Sequence, residues 1–415
     1  MFLIENSLIH NLINRQTGIS KCLINLQKLI LEFAQKKLNL RIVNYYMTPI
    51  NFPYQQNPDF PNRYISPEKL FFFLQKNFSE CISELGTSSL GKPIYKMTLG
   101  KGDIKVIAWS QMHGNESNAT HAMLDLLAIF KGHPELYEDL FSKISLNFIF
   151  MLNPDGSEKW MRRNALDIDM NRDFLKRSSK ELKLLLNLIE NGNYDYALNL
   201  HEQRTIFTTD GKNPATLSFL APSENFERDL TETRKKTMAV ITKMYDRLKN
   251  ILPNQIARYT DEFYPTSSGD NMTKMGIPTI LFEGGHFIND YKRTETRKFY
   301  TTALYEALKA ISELNGSTEN WENYQNIPQN KETHYDLIYR NVKLNTDFDC
   351  ILDVAVQYRE EILEGDDEIS FTPIVVEVGD VSSKKGWEEI DCTGKKFISE
   401  KKFPKLDEEV NFNIE

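Results

Sequence analysis

The chain has 415 residues, 40% hydrophobic and 26% charged, which is ordinary for a soluble globular protein of two or three domains or one large α/β domain with additions. A net charge of −8 and a pI of about 5.6 give no electrostatic case for nucleic acid or an anionic membrane. No run approaches the roughly 18 apolar residues of a membrane span. The cysteines, Cys22, Cys81, Cys350 and Cys392, are scattered, which fits reduced thiols in a cytoplasmic protein better than a disulfide framework.

The first residues have polar side chains interspersed throughout and lack a small-residue cleavage site, so they do not read as a signal peptide. Leu23, Leu26, Leu29, Ile30 and Phe33 fall at helical spacing. Met47 opens "MTPINFPYQQNPDF", and residues 1–46 read as an N-terminal helical extension. The main domain, 47–316, alternates short apolar runs with helical patterns. "IKVIAWS" (104–110) reads as a buried strand and "NATHAMLDLLAIFK" as the helix after it. "ISLNFIFML" (144–152) is a second strand, ended by the turn signal "NPDG". "YDYALNL" (194–200) and "IPTILF" (277–282) are two more strands, with helices expected at 178–190, 224–248 and 294–314. The predicted class is α/β, with a mixed, largely parallel sheet flanked by helices. "NGSTENWENYQNIPQN" (315–330) reads as a linker. Beyond it, "LIYRNVKL", "ILDVAVQY", "ISFTPIVVEVG" and "GKKFISEKKF" predict a small β-rich C-terminal domain over 317–415.

The chemistry collects at strand ends. His113 and Glu116, in "SQMHGNESNAT", follow the strand 104–110; His201 directly follows 194–200; Glu283 directly follows 277–282. In an open α/β sheet, ligands bind beyond the carboxyl ends of the strands, so distant residues converge there. Two imidazoles and one carboxylate, with a fourth position left for water, make a catalytic zinc site rather than a closed structural one. Glu283 is then a spare carboxylate of the kind a general base requires. Taken singly, each residue has an ordinary reading as a loop hydrogen bond, a strand-end histidine or a surface charge, and HxxE alone is a common pattern.

The intervening motifs narrow the choice. "HGNE", "NPDG", "RRNALDIDMNRDF", "LNLHEQ" and "TILFEGG" occur in that order, over roughly 65–315. In this the chain resembles the zinc carboxypeptidases. The resemblance implies a zinc-dependent hydrolase that releases a C-terminal amino acid from a peptide. It implies one Zn2+ held by His113, Glu116 and His201, with Glu283 as general base and then acid. It assigns Arg163 to polarise the scissile carbonyl, and Asn171 and Arg172 to hold the substrate carboxylate. Arg162 is read as a solvated charge. Tyr264 is the nearest candidate for the tyrosine that closes over the substrate, and Tyr259 its rival. If Asp270 faced the pocket, a basic side chain would be preferred there. His286, three after Glu283, reads as a local hydrogen-bonding residue.

Other classes are less well supported. "HEQRT" after His201 lacks the second histidine of H-E-x-x-H, and neither G-x-S-x-G nor a P-loop occurs. The alternative is a deacylase acting on a small N-acyl amino acid, resembling aspartoacylase and succinylglutamate desuccinylase, where "HGNE" is equally at home. The expected partner is a peptide or small amide with a free carboxylate, with no nucleic acid and no membrane. The oligomeric state is left open.

Overall fold

The computed structural model describes residues 52–344, 348, 350–363 and 365–415. The helical extension expected over 1–46, including Cys22, lies outside the described residues. The central sheet has eight strands: β1 (Ile82–Thr87), β2 (Pro93–Leu99), β3 (Ile104–Trp109), β4 (Ile144–Phe150), β5 (Tyr196–Glu202), β7 (Leu217–Leu220), β8 (Ile256–Arg258) and β9 (Thr279–Gly284). A further short strand, β6 (Ile206–Thr208), lies outside it. The spatial order is β1-β2-β4-β3-β5-β9-β7-β8. The neighbours β4, β3, β5 and β9 run parallel, while β1, β2 and β7 join antiparallel. Val106, Ile107, Ala108 and Trp109 are all buried, because a central parallel strand is covered on both faces.

The helices are α1 (Pro67–Phe78), α2 (Asn118–Gly132), α3 (Pro134–Phe141), α4 (Pro154–Glu158), α5 (Lys180–Gly192), α6 (Glu232–Leu248), α7 (Ser268–Lys274) and α8 (Thr294–Leu314). Leu182, Leu185, Leu186 and Ile189 of α5 recur at helical spacing and pack with Ile107, Trp109 and Ile149 of the sheet. The helix expected from 224 begins at 232. Asn225 Oδ1 instead accepts from the Asp229 amide, and Thr231 caps the helix by accepting from the Arg234 amide. On the other face, Asp125 of α2 takes a two-pronged bond from Arg297 of α8, at 2.7 and 2.5 Å. The same carboxylate accepts from the Asn57 amide and the Tyr54 hydroxyl, which pins the lead-in chain over both helices.

The C-terminal strands form a second sheet, β12 (Ile369–Gly379), β11 (Ile351–Ile362), β10 (Lys331–Lys343) and β13 (Lys385–Asp391), in that order. A small pair, β14 (Phe397–Ser399) and β15 (Phe412–Ile414), closes over its core of Val342, Val354, Val356, Val375 and Phe412. Only Phe397–Ser399 of "GKKFISEKKF" is strand. β13, "KGWEEID", lacks an apolar alternation, so nothing in the sequence marks it as a strand. β10 also pairs with β6, which follows β5 by only a few residues. The segment read as a linker is packed: its Tyr324 is buried and the hydroxyl accepts from the Ala221 amide.

Two loops at the carboxyl edge lock together through glycines. A Cβ on Gly114 would stand 2.2 Å from the Gly156 carbonyl carbon and 2.3 Å from the Ser157 nitrogen. "HGNE" and "NPDG" are thus in backbone contact, which only glycine at 114 permits. Gly114→Ala should therefore cost about 1–3 kcal/mol of unfolding free energy in denaturant titration; an unchanged midpoint would show that the loops do not touch.

Candidate metal centre

β3, β5 and β9 are adjacent and parallel, so their carboxyl ends share one edge of the sheet. His201 and Glu283 are direct register partners, with side chains on the same face. After β3 the chain turns through Gln111, whose φ of 47° is unusual for a residue with a side chain. The Gln111 amide accepts from the Thr120 hydroxyl at 2.6 Å and donates to the Gly114 carbonyl and Ser157 Oγ at 3.0 and 2.9 Å. This clasp sets the loop from which His113 and Glu116 point inward.

The three residues meet. His113 Nδ1 lies 2.7 Å from Glu116 Oε1, and His201 Nδ1 lies 2.8 Å from Glu116 Oε2. The two Nδ1 atoms are 3.1 Å apart. All three side chains are buried, and one ligand atom from each falls within 4.8 Å of the others. On its far side, His113 Nε2 lies 3.1 Å from Asp169 Oδ1. With its Nε2–H given to that carboxylate, a neutral His113 turns a lone pair on Nδ1 toward the Glu116 oxygens and toward His201 Nδ1. Lone pairs aimed at one point repel unless a proton or a cation sits among them. Two imidazoles and a carboxylate are a donor set that zinc accepts, and a carboxylate behind a ligating histidine is its usual support. The residues present fit the metal.

The electrostatics agree. Burial lifts the Glu116 carboxyl, but His113 and His201 together outweigh it and hold the group far below the usual carboxylate range. Burial lowers His113, yet Glu116 and the bond to Asp169 keep it above its ordinary value. His201 ends below its ordinary value, since burial there exceeds the pull of Glu116. Glu283 is pushed well up, first by burial and then by the Glu116 charge, with Arg162 opposing. Glu283 Oε2 and His201 Nε2 are both buried without a hydrogen-bond partner.

The arginine assignment requires correction. Arg162, not Arg163, lies at the cluster: its Nη1 is 3.2 Å from Glu116 Oε1, and its Nε and Nη2 each lie 3.1 Å from Asp169 Oδ2. Arg163 turns outward, half-exposed, and donates to the Asp167 carbonyl at 2.8 Å. The cause is the turn that follows. Asn164 Oδ1 accepts from the Leu166 and Ile168 amides while its Nδ2 is anchored on Glu181, and Arg163 is drawn along that turn.

The substrate-side residues lie nearby. Asn171 Oδ1 accepts from the Ser268 amide at the start of α7, and its amide is held by Asp169 Oδ1. Arg172 stacks over the exposed Tyr264 ring at 5.3 Å. Tyr259 is deeper: its hydroxyl donates to Gln203 Oε1 at 2.5 Å, and burial followed by the Glu283 and Glu116 charges raises its pKa well above normal. Asp270 accepts from the Ser267 hydroxyl and the Tyr264 amide, and its own amide donates back to Ser267 Oγ, the cap of α7. His286 packs between Tyr291 and Trp387 instead of hydrogen-bonding locally through Nε2. Sequence reasoning missed Asp169, although it stands inside the quoted "DMNRDF", and Gln111, which nothing in the sequence marks.

Comparison with known proteins bears on this arrangement. No curated protein sequence matches the chain. Among solved structures, a metallo-carboxypeptidase from Burkholderia cenocepacia shares the fold, with a TM-score of 0.50 and 16% identity over 60% of this chain and 70% of that one. The carboxypeptidase A from Helicoverpa armigera aligns with a TM-score of 0.47 and 17% identity over 67% of this chain and 81% of its own. The sequence pattern of the zinc carboxypeptidases matches residues 74–330, more than half of the chain and all of the cluster described above, and the chain belongs to that family.

Proposed function

We propose that the protein is a zinc-dependent hydrolase that releases a C-terminal amino acid from a peptide bearing a free carboxylate. The observation that carries this reading is the convergence of His113 Nδ1, His201 Nδ1 and both Glu116 oxygens on one buried point. Those residues are the proposed ligands of one zinc ion. When bound, the ion supplies a Lewis acid and lowers the pKa of a nearby water toward neutrality. Glu283 takes the proton of the attacking water and passes it to the departing amine as the C–O bond forms and the C–N bond breaks. Its unpartnered Oε2 and its place beside His201 suit that shuttle. Arg162 replaces Arg163 as the group that receives negative charge on the carbonyl oxygen. Asn171 and the planar fork of Arg172 hold the terminal carboxylate, and Tyr264 closes over it from its place against Arg172. A cytoplasmic location, read from the scattered cysteines, belongs to the same proposal.

The test compares one peptide with free and amidated C-termini against N-acyl amino acids. Cleavage of the free peptide alone is expected; preference for the N-acyl amino acids would make the protein a deacylase. In the same assay Glu283→Gln should lower turnover about 10³-fold while metal analysis still finds zinc. Zinc loss in that variant would move Glu283 from base to ligand.

Arg162→Ala is expected to cut kcat about 100-fold. Arg163→Ala should stay within about two-fold, as an outward-facing charge does. The reverse order of effects would restore Arg163 to the site.

Zinc affinity should also depend on pH in a defined direction. The pKa of His113 is raised, so the free site keeps a proton to higher pH than an ordinary histidine, and the cation must displace it. Competition with a chelator should show affinity falling about tenfold per pH unit below the His113 pKa and levelling off above it. A flat profile from about pH 6 to 8 would mean that His113 is not a ligand.

A further inference from the structure

Three segments carry the proposed centre: the loop with His113 and Glu116, the stretch through Trp160 to Arg162, and the end of β5 with His201. We infer that Glu360, on β11 of the C-terminal sheet, is a positioning residue that ties all three together; the inference rests on the zinc reading above.

The Glu360 side chain is only 6% exposed and reaches three segments around the central sheet. Its Oε1 lies 2.8 Å from Arg63 Nη1 and 3.4 Å from Arg204 Nε, and its Oε2 accepts from Trp160 Nε1 at 3.3 Å. Each contact leads to a different part of the site. Arg63 Nη2 pairs with Glu202 Oε1 at 2.5 Å, and the Glu202 amide donates to Glu116 Oε2 at 3.2 Å. The Arg63 carbonyl accepts from Ser117 Oγ, beside Glu116, at 2.8 Å. Trp160 stands two residues before Arg162 and lies under the Arg63 guanidinium at 5.3 Å. Arg204 stands three residues after His201 and also donates to the Tyr358 carbonyl of β11 at 2.9 Å.

Charge makes the tie more than mechanical. Arg63, Arg204 and Arg293 gather around Glu202 and Glu360, with Asp290 and Asp336 also within their field. Glu360 stays ionised because Arg63, Arg204 and Arg293 outweigh its burial. Without it, the cluster loses one negative charge next to a centre that has to hold a dication, and Arg63 loses a group that aims it at Glu202.

The test uses the full chain with Glu360→Gln, Glu360→Asp and, as a control within the same sheet, Asp353→Asn, which breaks the Arg340–Asp353 pair at 2.9 Å. Zinc affinity is read by chelator competition, the site geometry by the visible absorption of bound Co2+, and folding by Tm. Glu360→Gln should weaken zinc about tenfold and lower kcat with KM little changed. Its Co2+ spectrum should also change. Glu360→Asp should recover most of the affinity. Asp353→Asn should lower Tm and leave zinc affinity as it was. A Glu360→Gln protein that behaves like Asp353→Asn, less stable but with wild-type zinc affinity and Co2+ spectrum, overturns the inference and leaves the zinc reading standing. Wild-type protein that binds neither ion overturns both. If Glu360→Gln does not fold, Trp160→Phe removes the N–H contact to Glu360 while keeping an aromatic face under Arg63. A shifted Co2+ spectrum then supports the tie, and an unshifted one overturns it.

Discussion

The structure depends on one electrostatic constraint: two imidazole nitrogens and a carboxylate point at the same buried spot. That arrangement is unfavourable for the protein alone, because buried acceptors without a proton or cation among them repel. The surrounding fold is therefore organised to hold it. Parallel strands bring the residues to one edge, the Gln111 clasp shapes the first loop, and Asp169 fixes the tautomer of His113 while taking Arg162 on its other oxygen. The same constraint accounts for the opposite displacements of the two histidines. His113 has two carboxylates and leans toward its charged form; His201 has one and leans toward neutrality.

Much of this was legible before any coordinates. His113, Glu116, His201 and Glu283 stood out because their residue types are those of a catalytic metal site and each follows an apolar run that ends in a sharp change of character. The parallel core was equally plain, since continuous runs such as "IKVIAW" and "TILFEG" belong to strands covered on both faces. The choice between Arg162 and Arg163 was not legible. The two are chemically identical neighbours, and the decision is made by the Asn164 turn, whose hydrogen bonds no spacing rule reveals. The role of Asp169 was hidden for a related reason. Its meaning lies in which atom it faces, 56 positions away along the chain. The C-terminal sheet was foreseen as a set of strands but not as a neighbour of the site, because β6 is only three residues long and carries too short a pattern to announce a pairing.

Buried charge is used a second time to place the lead-in chain. Asp125 and Arg297 form a two-pronged pair between α2 and α8, and residues 54–60 bond to both members. The same stretch delivers Arg63 to Glu202 a few residues later. Paired and fully hydrogen-bonded, such ions add little net stability over apolar packing, but they tolerate few alternative arrangements. Here they fix the course of a segment that has no regular secondary structure before α1.

The short pairing of β6 with β10 bears on how the protein comes into being. β5 and β6 emerge together, yet β6 meets its partner strand only after more than a hundred further residues, and Glu360 follows later still. Contacts that span such separations are slow to form, and domains on a ribosome acquire structure in order of emergence. A chain that has emerged through β6 therefore carries its three proposed ligands before the proposed brace behind them is synthesised, so assembly of the centre waits on the strands of the second sheet.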